Sequence, residues 1–228
     1  MDFNVIYEQI LEFDNGGYYD KSKRRLLYTW EKVAPLIKPS CQVVEIGAGP
    51  VAVLAKELGK ANVICIDLNE YQENLCKKFG IELRECDIQS SLLPLDDGSV
   101  DVIFLLEVIE HLCMYPSELL HQVFKKLKKG GYLVITSVNF LRVSNRIRVL
   151  FGKSPLINYF ERTIDGRNHI REFLPDEMNY YMKKSGFDII DKQLFGIVPE
   201  KHYVSVLFRL LYLYPEFRNY FLIIGKRL

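Results

Sequence analysis

Cysteine is scarce and unpatterned in this chain. The five residues, Cys41, Cys65, Cys76, Cys86 and Cys113, are odd in number and form no Cys-x-x-Cys pair. A disulfide framework and a zinc ribbon are therefore excluded in favour of reduced thiols. Long apolar runs are also missing. No stretch approaches the ~18 residues that a membrane-crossing helix needs; the longest candidate, Val204 to Tyr214, is short and broken by Arg209. The first ten residues mix Asp2, Asn4 and Glu8 with apolar side chains, which is not a secretory signal pattern, so a cytoplasmic location is expected. Charge of one sign is missing too: the net value is +1. A general nucleic-acid coat needs a strong basic excess, so no nucleic-acid partner is expected.

The small total hides a division along the chain. Residues 1–40 are neutral, residues 41–139 sum to −5 and residues 140–228 sum to +6. Of the aromatic residues, 16 fall in that last part, against 6 in the acidic middle. With 228 residues and 49% apolar content, the chain suits one elaborated domain rather than a disordered segment.

Periodicity organises it further. Leu26, Leu27, Trp30, Val33 and Ala34 recur at helical spacing within an N-terminal helical segment closed by Pro35 and Pro39. Strands are expected at 42–46, 63–66, 81–86, 100–106 and 132–137. Helices are expected at 51–58, 70–79 and 117–129, the last ending on Lys125, Lys126, Lys128 and Lys129 before Gly130, where cations suit the dipole. Strands alternating with helices imply a parallel sheet covered on both faces. After Asn139 the rhythm breaks. A helix is expected from Leu141 to Phe151, then irregular chain, a helix opened by Pro175-Asp176-Glu177, a strand over 187–195 and a final strand from Tyr220 to Ile224.

In open parallel sheets, ligands sit beyond the carboxyl ends of the strands. Four strand ends here carry suitable groups. Gly47 and Gly49 let the backbone approach a ligand without a Cβ in the way. Asp67, eighteen residues beyond Gly49, can accept two hydrogen bonds from a ribose diol. Asp87 and Ile88 can border a purine, and the fourth strand runs into Glu107. The pattern Gly47-x-Gly49-x-x-Ala52 also satisfies the dinucleotide fingerprint, which leaves a nicotinamide-dependent oxidoreductase as a rival.

The ordered set Glu45-Ile-Gly47-Ala-Gly49, Asp67, Asp87, Asp101 to Glu107-Val-Ile-Glu110-His111-Leu, and Leu127-Lys-Lys-Gly-Gly131-Tyr-Leu-Val-Ile resembles the class I S-adenosylmethionine-dependent methyltransferases, in the branch with an EVIEHL-type segment after strand four. The resemblance covers residues 41–139. It departs at Val51, where many members have a third glycine. It implies a Rossmann-like three-layer α/β sandwich: a seven-stranded, mostly parallel sheet with a reversed C-terminal strand and a helical lid insertion. It divides the chain into a helical cap (1–40), a cofactor-binding core (41–139), a lid (140–172) and a substrate-side part (173–228). The implied cofactor is S-adenosyl-L-methionine, leaving as S-adenosyl-L-homocysteine. Asp67 with Leu68 takes the ribose, Glu45, Gly47 and Gly49 line the methionine end, and Asp87 and Ile88 border the adenine; Glu107 either touches the methionine moiety or caps its loop, and Tyr18 and Tyr19, after Gly16-Gly17, either close over the cofactor or pack the N-terminal helix.

In similar methyltransferases a His–aromatic segment such as that of His169 lies near the substrate mouth, so His169 is either the base or a loop histidine pinning the lid to the body, and His111 is a packing or substrate-orienting residue. Glu107, Glu110 and His111 could share one helical face around a divalent ion, as in some relatives, but no metal is expected. Arg142, Arg146, Arg148 and Lys153 are either a solvated face or a lid that meets an anionic substrate. Aromatics such as Phe151, Tyr159, Phe160, Tyr203, Phe208 and Tyr212 would pack or stack on a ring. The nucleic-acid amino-methyltransferase signature D/N/S-P-P-Y/F is absent after strand four. The expected acceptor is a small molecule, methylated on an oxygen of a sugar, phosphorylated or otherwise anionic metabolite; glycan-pathway enzymes are a loose likeness. The competing class is a non-catalytic cofactor-binding module.

Overall fold

The computed structural model describes residues 2–14, 17–68, 72–155, 169–198 and 202–228, with the backbone alone over 202–205. Seven strands form one sheet: β1 (Gln42–Ile46), β2 (Asn62–Asp67), β3 (Glu82–Glu85), β4 (Val100–Leu106), β5 (Leu127–Val138), β6 (Phe187–Phe195) and β7 (Tyr220–Arg227). Their order is β3-β2-β1-β4-β5-β7-β6. β1 to β5 pair in parallel, while β7 runs antiparallel to both of its neighbours. The reversal falls on the last strand, as the resemblance implies. The chain direction reverses its layout on either side of β1, which opens the crevice between β1 and β4.

Strand alternation sorts the core into two layers. Val43, Cys65, Val102, Phe104, Val134 and Leu222 face one side; Val44, Ile46, Ile66, Ile103, Leu105, Ile135 and Ile223 face the other. The first face is covered by α1 (Phe3–Leu11), α2 (Tyr18–Val33), α3 (Pro50–Glu57) and α4 (Glu73–Lys78). The second is covered by α5 (Pro116–Lys126) and α7 (Pro175–Lys184), through Leu119, Leu120, Val123, Met178 and Met182. α6 (Val143–Leu150) and α8 (His202–Leu211) complete the set. Val51 is fully buried in the first turn of α3, so the missing third glycine is replaced by core packing. Among the described residues no helix is long and apolar enough to cross a membrane.

Three sequence expectations need correction. Lys128 and Lys129 do not end α5; they open β5. Leu127 is fully buried and pairs with Val100, so the chain turns extended there, and the irregular register before Tyr132 absorbs Gly130 at φ +80°. The Leu141–Phe151 helix is trimmed to α6 because the Asn139 side chain accepts the Leu141 N–H at 3.0 Å, holding that residue outside the helix. α8 adds a helix in the aromatic-rich tail, where the sequence pattern predicts none. The centre of the expected lid, 156–168, with Tyr159 and Phe160, lies outside the described residues, as do Gly16 and the Tyr203 side chain.

Candidate functional site

A cleft of about 960 Å³ opens along the carboxyl edge of the sheet. That is the upper range of small-ligand pockets. It gathers Tyr19, Glu45, Gly47, Gly49, Asp67, Leu68, Asp87, Ile88, Glu107, His111 and His169, every site residue expected from the sequence.

The floor is set by the turn after β1. Gly47 sits at φ +81°, and a Cβ there would lie 2.5 Å from Val108 Cγ2. Only glycine allows the β1 and β4 turns to approach so closely. Glu45 is completely buried behind this turn and accepts the Ala52 N–H at 2.6 Å. Burial pushes its carboxyl up to about 8, against the lowering effect of the Ala52 and Gly49 amides. Its visible work is to brace the start of α3 from beneath the glycines.

At the end of β2, Asp67 accepts the Ala48 N–H at 2.8 Å on one oxygen and the Leu68 N–H at 2.7 Å on the other. These bonds fix the carboxylate plane at the cleft. At the end of β3, Asp87 takes the Gln89 N–H and the Ser90 hydroxyl, which makes it the acid of a tight turn, with Ile88 buried beside it.

The end of β4 departs most from expectation. Glu107 adopts φ +56°, a left-handed conformation that costs a non-glycine residue free energy. Its carboxylate does not join Glu110 on one face. Instead Oε2 pairs with Arg25 of α2 at 2.5 Å, with both side chains almost buried. Arg25 also donates to the Tyr18 hydroxyl at 2.6 Å and to Ser22 Oγ at 3.2 Å, and it lies over the Tyr220 ring. Burial lowers the guanidinium's pKa; the Glu107 charge, together with Tyr18 and Tyr220, more than offsets it and holds the pKa above the ordinary value. Glu107 Oε1 is buried and has no hydrogen-bond partner among the described residues.

Arg25 was missed in sequence because it stands in the cationic run Lys21-Ser-Lys-Arg-Arg25. A usable signal existed: Tyr19, Ser22, Leu26, Thr29 and Val33 form the buried stripe of α2, and Arg25 falls inside it.

The acceptor end is assembled from distant pieces. The turn Ile109–His111 buries Glu110, whose Oε2 accepts from Ser137 Oγ at 2.9 Å. Burial, with help from the Glu107 charge, raises the Glu110 pKa well above the usual carboxyl range. The Glu110 carbonyl accepts N–H groups from Ile170 and Arg171, tying the second segment to the first. His111 and His169 rings meet edge to face, 5.0 Å between centroids. Behind them, His169 Nδ1 lies 3.0 Å from Glu172 Oε1. Glu172 is nearly buried and accepts a two-pronged bond from Arg142 at 2.5 and 2.8 Å, plus one from Asn145 at 2.8 Å. Burial would raise the Glu172 pKa; the bonds from His169, Arg142 and Asn145 outweigh it and hold it at about 2. An ionised carboxylate only accepts, so His169 Nδ1 carries the hydrogen in this bond, and the ring lines the cleft.

Arg142 is therefore not a lid cation reaching for substrate: it is bound to Glu172. It also precedes α6 rather than sharing a helical face with Arg146, which is spread over the Phe217 ring. Glu110, His111 and His169 bring one donor atom each within 4.8 Å of one another, whereas Glu107 is engaged elsewhere.

The residues fit an S-adenosyl ligand on structural grounds: a glycine cradle that a Cβ would fill, a fixed strand-end carboxylate, and an unpartnered buried carboxylate oxygen in the same cleft. Comparison with known proteins agrees. A family profile described as a methyltransferase domain matches residues 44–135. A probable S-adenosylmethionine-dependent methyltransferase of Mycolicibacterium smegmatis is 30% identical over 99 residues, 43% of this chain and 33% of that protein. The match thus spans about a third of that relative's length. A SAM-dependent methyltransferase structure from Archaeoglobus fulgidus superimposes with TM-score 0.67 at 21% identity, covering 93% of this chain and 100% of the other. Phosphoethanolamine N-methyltransferase 2 of Haemonchus contortus, solved with phosphomonomethylethanolamine and S-adenosylhomocysteine, gives 0.60 at 17%, covering 98% of this chain and 56% of the other. Those two likenesses establish the fold. The profile match over residues 44–135, the ordered motif set and the fold all agree with a class I S-adenosylmethionine-dependent methyltransferase domain.

Proposed function

We propose that the protein transfers the methyl group of S-adenosylmethionine to an oxygen of a small, anionic metabolite in the cytoplasm. The single observation that carries the oxygen assignment is His169 held by Glu172 at the cleft. The sulfonium supplies an already activated methyl group. The protein's share is alignment, exclusion of water and, for a hydroxyl, removal of a proton.

In this reading Asp67 holds the ribose hydroxyls, Gly47 and Gly49 let the backbone close on the ligand, Asp87 and Ile88 border the adenine, and Tyr19 covers the cleft from α2. His169 Nε2 takes the hydroxyl proton, and Glu172, locked by Arg142 and Asn145, stabilises the imidazolium that results. His111, edge-on to His169, limits how the acceptor can lie. The anionic class rests on the +6 charge of residues 140–228 and on the phosphorylated ligand of the Haemonchus structure.

The test is incubation of a metabolite extract with methyl-labelled cofactor, followed by mass spectrometry. A labelled, negatively charged O-methyl product is expected. A labelled amine would overturn the oxygen reading, and no labelled product with any extract would favour a binding module.

A further inference from the structure

We infer that Arg25 and Glu107 form a preassembled receptor for a zwitterion, and that the amino-acid tail of the cofactor binds by inserting between them. The inference rests on the cofactor reading and adds to it the residues that recognise the tail.

Position comes first. Asp67 ends β2 and Glu107 follows β4, with β1 between them. Two strand spacings are about 10 Å, the scale over which an S-adenosyl ligand runs from its ribose to its α-carbon. A ligand anchored by its ribose at Asp67 and lying across Gly47 therefore brings its tail to the Arg25–Glu107 pair.

Chemistry comes second. The tail carries a carboxylate and an ammonium on one carbon. The pair offers the matching charges, a guanidinium and a carboxylate, 2.5 Å apart and nearly closed to water. Inserting the zwitterion exchanges one ion pair for two: the ligand carboxylate accepts from Arg25, and the ligand ammonium donates to Glu107. The cost of burying both protein charges was already met on folding, so the exchange creates no new unpaired charge on the protein.

Preorganisation comes third. The Tyr18 hydroxyl and Ser22 Oγ hold the far side of the guanidinium, and the Tyr220 ring supports its face, so it stays in place when Glu107 turns away. Glu107 Oε1 is buried without a partner among the described residues, an acceptor ready for a donor. The left-handed backbone at Glu107 directs the carboxylate into the cleft at a conformational cost that a purely structural acid would have no reason to carry.

The experiment compares two nucleosides by isothermal titration: S-adenosylhomocysteine, which has the tail, and 5′-methylthioadenosine, which lacks it. The wild-type protein should prefer the first by at least about tenfold, the range of one charge-assisted contact. Arg25→Met should reduce S-adenosylhomocysteine affinity by about 10- to 100-fold, with 5′-methylthioadenosine changed by less than about threefold. Arg25→Lys should restore part of the preference. Because Arg25→Met leaves Glu107 buried and unpaired, the neutral double variant Arg25→Met/Glu107→Gln serves as a second test that does not depend on tolerating that charge; it should show the same loss of preference. A preference retained in the double variant overturns the receptor. Equal loss for both nucleosides, with a lowered melting temperature, assigns the pair to scaffolding and also overturns it. Failure of the wild type to bind either nucleoside overturns the cofactor reading, and the receptor with it.

Discussion

The two ends of the cleft are built on different plans. At the cofactor end, Gly47, Asp67, Asp87 and Glu107 each sit at or just past the end of a parallel strand, and the sheet itself spaces them. At the acceptor end, the groups around His169 are spaced by side chains that meet across the sequence: Arg142 with Glu172, Asn145 with Glu172, Ser137 with Glu110. A regular scaffold supplies one end, and a hydrogen-bond network supplies the other. The first should tolerate loss of a member with a graded loss of affinity. The second should fail sharply, because each group orients the next.

The sharpest failure is expected at His169. His169→Ala should lower turnover by about 10²–10⁴ and leave binding of S-adenosylhomocysteine nearly unchanged. Single-turnover kinetics with the identified acceptor, read beside the binding constant, checks this. Full turnover in the variant would move the base elsewhere and erase the contrast between the two ends.

That contrast also explains what could be read from the sequence. Gly47, Gly49, Asp67, Asp87 and Glu107 are legible because strand, turn and acid follow one another locally, and the sheet's order does the rest. β6 and β7 were legible for the same reason. The partners of Arg142 were not. Its 30-residue separation from Glu172 leaves no local trace, and a cation beside Arg146 and Arg148 reads as a solvated cluster until the fold closes it. Arg25 was hidden in the same way among exposed lysines, although the stripe on α2 marked it as inward-facing. Helix ends failed where burial overrode composition, as at Leu127, whose packing against the sheet drew two lysines out of α5 and into β5.

The next effect tests the cofactor end. Asp67→Ala should weaken S-adenosylhomocysteine binding by about 10- to 100-fold, measured by titration calorimetry, while the acceptor-end network stays intact. An unchanged constant would remove its ribose role. A collapse of binding beyond measurement would indicate that losing the Ala48 N–H bond unfolds the turn, so that the sheet edge is less independent than its geometry implies.

A smaller effect follows from Glu45. Its pKa is about 8 in the fold against 4.5 for an ordinary glutamate. The folded state therefore keeps a proton that the unfolded chain has released. This stabilisation is complete below about pH 4.5 and is lost as pH rises towards 8. Glu110 is shifted in the same direction. Glu172, held at about 2, gains its contribution at acidic pH and adds no slope in this window. Chemical denaturation should thus show stability falling by a few kcal/mol between pH 5 and 8, and Glu45→Gln should flatten part of that slope. A stability rising with pH across the window would show that the acid is ionised in the fold.

The smallest expected effect is none. Glu110, His111 and His169 lie close enough to share an ion, but His169 has one lone pair to offer. Its Nδ1 is committed to Glu172, so Nε2 can either take a proton from the acceptor or bind a cation, and it cannot do both in one turnover. If Nε2 is the base, EDTA should leave the initial rate within experimental error, and added magnesium or manganese should not raise it. A rate lost to EDTA and restored by one of these ions would give Nε2 to the ion and transfer proton removal to another group. The acceptor end would then be organised around a cation, with Glu172 fixing the ring of a ligand rather than of a base.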